Sequence, residues 1–178
     1  IQATPAQQQQ ASSPQPQASP ARSSRQPTQH KFSAITPARP PPPGSPKVVA
    51  TVVGAKNLPL TEKFGVCNPY VIMAIGSSFQ KTTVKQGTLS PQWGETYEFP
   101  VQPAMLQGML LTLTVEDHSA ALRDEPIGQL SIPLLQLMVR KEWNGSFDLR
   151  TMKPAQASDA SVSAVQLRLQ YLPGNEGE

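Results

Sequence analysis

From Lys47 onward, apolar and polar residues alternate in short runs separated by turn residues. Lys47 to Gly54 is a β-branched run ended by glycine, with Val48, Ala50 and Val52 on one face. Met109 to Glu116 alternates cleanly, Leu111, Leu113 and Val115 against Thr112, Thr114 and Glu116. Val165, Leu167, Leu169 and Tyr171 do the same against Gln166, Arg168 and Gln170, and Pro173-Gly174 ends that run. Further strands are expected near 69–75, 79–85, 92–99 and 127–132, and over Trp143 to Leu149 after an Asn144-Gly145 turn. Residues 55–67, 117–126 and 151–160 read as loops. Pro133 to Arg140 is the one helical segment, with proline at its first position and Arg140 and Lys141 suited to its far end. Eight short strands with one polar face each need a second sheet to cover the apolar face, so the class is an all-β, eight-stranded antiparallel sandwich. Trp93, Tyr97, Trp143 and Phe147 are expected in its core.

Composition separates the front of the chain from this body. Residues 1–46 hold 11 of the 20 prolines, a run from Gln7 to Gln10, and the cations Arg22, Arg25, Lys31 and Arg39 with no acid. Such a stretch buries too little apolar surface to offset its ordering entropy, so 1–46 reads as a disordered, proline-rich basic arm. The sandwich then covers 47–172, and 173–178 is a short tail. The formal net charge of +3 belongs to the arm, because residues 47–178 carry −1. A basic total therefore gives no reason to expect nucleic acid as a partner. Residues 37–46, PARPPPPGSP, favour polyproline II and read as a stiff spacer, with docking on a polyproline-recognising domain as the sharper alternative.

Candidate chemistry is sparse. One cysteine, Cys67, and histidines at 30 and 118 exclude an internal disulfide and a zinc set, which fits a cytoplasmic protein. No run of 18 apolar residues and no signal-peptide pattern is present, and a start at Ile1 suggests a fragment. His118 sits between Asp117 and Ser119, but neighbours on an extended loop point apart, and no glycine-rich phosphate loop follows any strand. The expectation is a protein that is not an enzyme.

Several motifs, read in order, carry a family resemblance. Ala55-Lys56-Asn57-Leu58-Pro59 leaves the first strand, and Asn68-Pro69-Tyr70-Val71 opens the second. Leu89 to Phe99 reads LSPQWGETYEF; Leu113 to Asp117 reads LTVED; Asp124 to Gly128 reads DEPIG. Together these resemble the A-x-x-L-P, D-P-Y-V, L-N-P-x-W-N-E-x-F-x-F, L-x-V-x-D and D-D-x-I-G motifs of the C2 domain, in the family's order over about residues 47–172. The resemblance implies an antiparallel sandwich that docks on phospholipid membranes through loops at one end, often with calcium between loop and headgroup.

The family's calcium ligands are mainly five aspartates. The matching positions here are Glu62, Asn68, Asp117, Ser119 and Glu125, with Asp124 beside the last. Five anionic positions have become three, and calcium affinity follows the number of charged oxygens, so calcium binding is expected to be weak or absent. Turn chemistry before Pro69 is the preferred reason for Asn68. For lipid, the family's lysine-rich sheet face reduces to Lys81 and Lys85, placed on one face of the 79–85 strand, with Lys56 and Lys63 nearer the loops. Phe64, Val66 and Leu122 are candidate loop-tip residues for insertion among lipids. The expected function is peripheral association with anionic phospholipid membranes. The alternative is a calcium-independent protein-interaction or scaffold domain.

Overall fold

A computed structural model describes residues 36–60, 67–152 and 162–175. The expectations for the arm up to residue 35, for Glu62, Lys63, Phe64 and Val66, for most of the 151–160 loop and for the last three residues lie outside the described residues. The strands are β1 (Thr36–Pro37), β2 (Lys47–Lys56), β3 (Pro69–Ile75), β4 (Ser78–Lys81), β5 (Gln92–Pro100), β6 (Leu110–Asp117), β7 (Glu125–Pro133), β8 (Glu142–Asp148), β9 (Arg150–Thr151) and β10 (Ala164–Leu172). A 3-10 turn lies at Pro103–Met105, and a helix, α1, spans Leu134–Arg140.

Two sheets face each other. One has the order β1-β4-β3-β6-β7-β9, the other β5-β2-β10-β8. Among the described residues every pairing is antiparallel except β1 on β4. The expected all-β antiparallel sandwich is therefore the observed one, its eight longer strands joined by two two-residue strands at the edges. The core is built from the alternation: Val48, Ala50 and Val52 of β2 and Val165, Leu167 and Leu169 of β10 are buried in one sheet, opposite Val71, Met73, Leu111, Leu113 and Val115 of the other. Burying each of the valine, leucine and methionine side chains contributes about 1.5–3 kcal/mol. Gly54 has a specific reason to be glycine. Pairing with β5 shifts register between Val52 and Gly54, and a Cβ at Gly54 would lie 2.7 Å from the Pro91 carbonyl oxygen.

Four local readings change. The strand placed at 79–85 ends at Lys81: the Thr82 N–H still donates to the Val71 carbonyl, but the bond back does not reach the Thr82 carbonyl. The Thr82 hydroxyl accepts the Val71 N–H at 2.9 Å, and the Thr83 carbonyl accepts from Trp93 Nε1 at 2.8 Å. The Lys81 carbonyl accepts from the Tyr97 hydroxyl at 3.0 Å. The bonds from Trp93 and Tyr97 run from one sheet to the other and close the sandwich along the β4–β5 side. Pro133 is the residue before α1 rather than its first turn, with an extended ψ of 123°. Asn144-Gly145 lies inside β8, opposite Arg168 and Leu167, and makes no turn. Gly145 instead separates Trp143 and Phe147, whose rings meet edge-on at 5.1 Å; both, like Tyr97, are half-buried at the rim of the core rather than in it. Finally, the 37–46 stretch is not simply a spacer, because part of it is bonded to the sheet edge. The Ala38 N–H donates to the Phe79 carbonyl, Gln80 Nε2 donates to the Ala38 carbonyl at 2.9 Å, and Ala38 is buried.

Candidate functional site

One end of the sandwich gathers the start of β3, the end of β6 and the loop to β7. Asp117 is the last residue of β6 and pairs with Pro69 on one side and Glu125 on the other. Its position puts the carboxylate on the inward parity of β6, where it is buried and accepts the Asn68 backbone N–H at 2.7 Å. Asn68 binds in three directions: its Oδ1 accepts the Gly87 N–H at 3.0 Å, its Nδ2 donates to the His118 carbonyl at 3.3 Å, and its own carbonyl accepts the His118 N–H. The asparagine is thus the clasp between the 85–88 loop and the end of β6. Burial, then the Asp117 charge and a hydrogen bond to it, push the Cys67 thiol up to about 12, so at neutral pH it is protonated.

The 117–125 loop is closed by Asp124. Its Oδ1 accepts the Ser119 N–H at 3.0 Å and lies 3.1 Å from His118 Nδ1, and its Oδ2 accepts from the Tyr70 hydroxyl at 2.7 Å. The Ser119 amide bond first, then the Tyr70 hydroxyl and His118, hold this carboxyl below its usual range against its own desolvation. Tyr70 points outward from β3 yet is buried, its hydroxyl between Asp124 and Glu116 and its ring edge toward His118 at 6.4 Å between centroids. Burial and the two carboxylates raise the phenol pKa, so it is not a nucleophile at neutral pH. Ser119 Oγ accepts the Leu122 N–H at 3.1 Å, and this turn leaves Leu122 74% exposed at the tip, beside exposed Arg123.

The C2 domain family pattern matches residues 47–149, more than half of the chain. The chain belongs to the C2 domain family. Its relatives include synaptotagmin-4 of Arabidopsis thaliana, 34% identical over 101 residues, a match that spans 56% of this chain and 17% of that protein. Synaptotagmin-1 of Aplysia californica is 33% identical over 92 residues, 49% of this chain and 22% of that protein. The chain thus matches only about a fifth of the length of these relatives. Among solved structures, C2 domain A of plant extended synaptotagmin 1 superposes with a TM-score of 0.60 at 24% identity, covering 76% of this chain and all of that one. The calcium-bound C2 domains A and B of extended synaptotagmin 2 give 0.60 at 23% identity, covering 75% of this chain and 47% of that one. At those identities the structures show the fold.

Within this C2 domain the family's ligand positions do not assemble a calcium cage among the described residues. Calcium takes six to eight oxygens, mostly carboxylate. Here the Asn68 amide oxygen and the Ser119 hydroxyl accept backbone N–H groups, and Asp117 Oδ1 accepts a third. Among the described residues no three His, Cys, Asp or Glu side chains are placed to hold a metal together. Lys81 and Lys85 do not form the expected pair on one strand face either. Lys81 ends β4 with its ammonium 3.7 Å from the centre of the Tyr70 ring, beside the Glu116–Asp124 pair, whereas Lys85 lies beyond the strand and its charge acts on Glu95. Sequence reasoning passed over Tyr70 and gave Asp124 no role, since their partners are 46 and 54 residues apart in the chain. The tyrosine of the N-P-Y-V motif was visible; its hydroxyl's partners were not.

Proposed function

We propose that this C2 domain is a non-enzymatic module that docks peripherally on anionic phospholipid membranes and does so without calcium. The observation that carries the proposal is Leu122, 74% exposed at the tip of a loop whose base is already tied by Asp124, Ser119 and Asn68. In the family this loop is commonly organised by a bound cation. Here Asn68 and Ser119 are neutral, and the Asp117 and Asp124 carboxylates accept protein N–H and hydroxyl groups, so the loop is preorganised and its apolar tip needs no metal to be presented. Arg123 supplies a neighbouring positive charge for phosphate. Among the described residues no helix is long and apolar enough to cross a membrane.

Insertion of one leucine contributes about 1.5–3 kcal/mol, so Leu122→Asp should lower vesicle affinity by roughly tenfold or more. Co-sedimentation with phosphatidylcholine–phosphatidylserine vesicles, in calcium and in chelator, tests both halves. Equal pelleting in the two conditions supports the proposal. Pelleting in calcium alone refutes the calcium-free half, and no pelleting in either transfers the domain to the protein-interaction reading.

A further inference from the structure

The outer face of α1 is apolar where a surface helix is ordinarily polar. Leu134 and Leu137 are buried on the core side, while Leu135 and Val139, four residues apart and so stacked on one face, stay 44% and 76% exposed. With Gln136 and Arg140 they line a shallow surface groove. Between Pro133 and Lys141 there is no acid, and Arg140 and Lys141 close the segment. The acid that follows, Glu142, accepts from Asn144 Nδ2 along β8 at 2.9 Å.

Lys141 is the second, independent sign. Its φ of 65° and ψ of −36° lie where glycine is at ease and a residue with a Cβ is strained. It ends the helix as glycine usually does, its N–H donating to the Leu137 carbonyl and its own carbonyl accepting from Tyr171, both at 2.8 Å. A lysine there works against local stability. Its ammonium rests 5.1 Å from the Tyr171 ring centre, and the Arg140 guanidinium lies 4.8 Å from that of Trp143. Two cations on aromatic faces, at the rim of an exposed aliphatic stripe, match the chemistry of a lipid headgroup layer over acyl chains.

We infer that α1 is a second docking surface for an anionic phospholipid membrane, Leu135 and Val139 entering the acyl boundary while Arg140 and Lys141 meet headgroup phosphates. It lies at the other end of the sandwich from Leu122: β7 starts at Glu125 opposite Asp117 and ends at Pro133 opposite Leu110, a run of roughly 26 Å at the strand rise. One molecule then carries a membrane contact at each end and can hold two membranes together. The inference stands on the helix and does not require the loop contact.

The test uses the full chain, in chelator, with phosphatidylcholine–phosphatidylserine vesicles and with pure phosphatidylcholine vesicles. The native chain should pellet with the anionic vesicles and cluster them by light scattering. Val139→Asp and Leu122→Asp should each still bind, roughly tenfold more weakly, yet lose clustering, and the double variant should lose both. Lys141→Gly should melt no lower than the native chain, because the strain is relieved, and should bind anionic vesicles roughly fivefold more weakly. That variant cannot be dismissed as unfolded. The inference is overturned if Val139→Asp and Lys141→Gly bind and cluster like the native chain, or if Leu122→Asp alone abolishes all pelleting, which would leave the loop reading intact. It is also overturned if Val139→Asp only dissolves a dimer seen by sedimentation velocity. Loss of binding in Val139→Asp with none in Leu122→Asp would retain α1 and remove the loop.

Discussion

At the scale of single residues, Glu95 shows how the two sheets are coupled. It faces inward on β5, opposite Val52, at a position where the aromatic alternation of Trp93, Tyr97 and Phe99 would lead one to expect an apolar side chain. Its carboxylate accepts the Thr83 N–H at 3.1 Å and the Tyr97 hydroxyl at 2.5 Å, and takes the Thr83 hydroxyl as well. Burial alone would raise its pKa, but these bonds, with the Lys85 charge, outweigh burial and lower it. A carboxyl with a depressed folded pKa adds stability that is complete above its unfolded value, about 4.3, and lost as pH falls through the folded value. Thermal melts should therefore show the native chain losing Tm below about pH 4.3 more steeply than Glu95→Gln. At neutral pH that substitution should cost about 1 kcal/mol, a Tm drop of a few degrees. Parallel acid limbs for the two proteins would mean that Glu95 is not the group responsible.

Elements were legible where one face is buried and illegible where side chains compete with the ladder. The runs at 69–75, 109–116 and 165–171 emerged within a residue or two of β3, β6 and β10, since Val71, Leu113 and Leu169 must all face the same core. The 79–85 run has the same alternation, yet the Thr82 hydroxyl takes the Val71 N–H in place of its carbonyl and the Thr83 hydroxyl bonds Glu95, so the regular ladder stops at Lys81. That misreading also produced the Lys81–Lys85 pair. Asn144-Gly145 is a turn dipeptide by composition, but β10 pairs with β8 straight through it, Arg168 opposite Asn144 and Leu167 opposite Gly145. Nothing local marks β1, whose partner Ser78–Phe79 is supplied by the tertiary fold. If Ala38 anchors β1 through burial and the Phe79 carbonyl, Ala38→Asp should release it. Hydrogen exchange should then find the residue-38 amide protected in the native chain and exchanging as freely as a loop amide in the variant. Fast exchange in both would show that β1 contributes no measurable protection.

On the scale of the whole molecule, residues 47–178 carry −1 of the chain's net +3, so the sandwich itself supplies little long-range attraction, and the proposed membrane contacts would be local and apolar as much as ionic. The calcium question is molecular in the same sense, since it asks what holds three segments together at one end. The family supplies a cation between facing carboxylates; here Asp117 is joined to Asn68, Asn68 to Gly87 and His118, and Asp124 to Ser119 and Tyr70. The sequence displayed the thinning of the acids but not what replaces them, because backbone N–H groups leave no trace in composition. If protein bonds have taken over, Asp117→Ala strands the Asn68 N–H and should cost about 1–3 kcal/mol, lowering Tm by the same few degrees in calcium and in chelator. Asp117→Asn keeps an acceptor oxygen and should retain most of the stability in both conditions. A metal site predicts the opposite pattern: a native Tm that rises with calcium, and an asparagine variant that loses the rise while matching the native chain in chelator. Scanning calorimetry of the three proteins under the two conditions separates these outcomes without reference to membranes, so the loop's architecture can be decided before its ligand is.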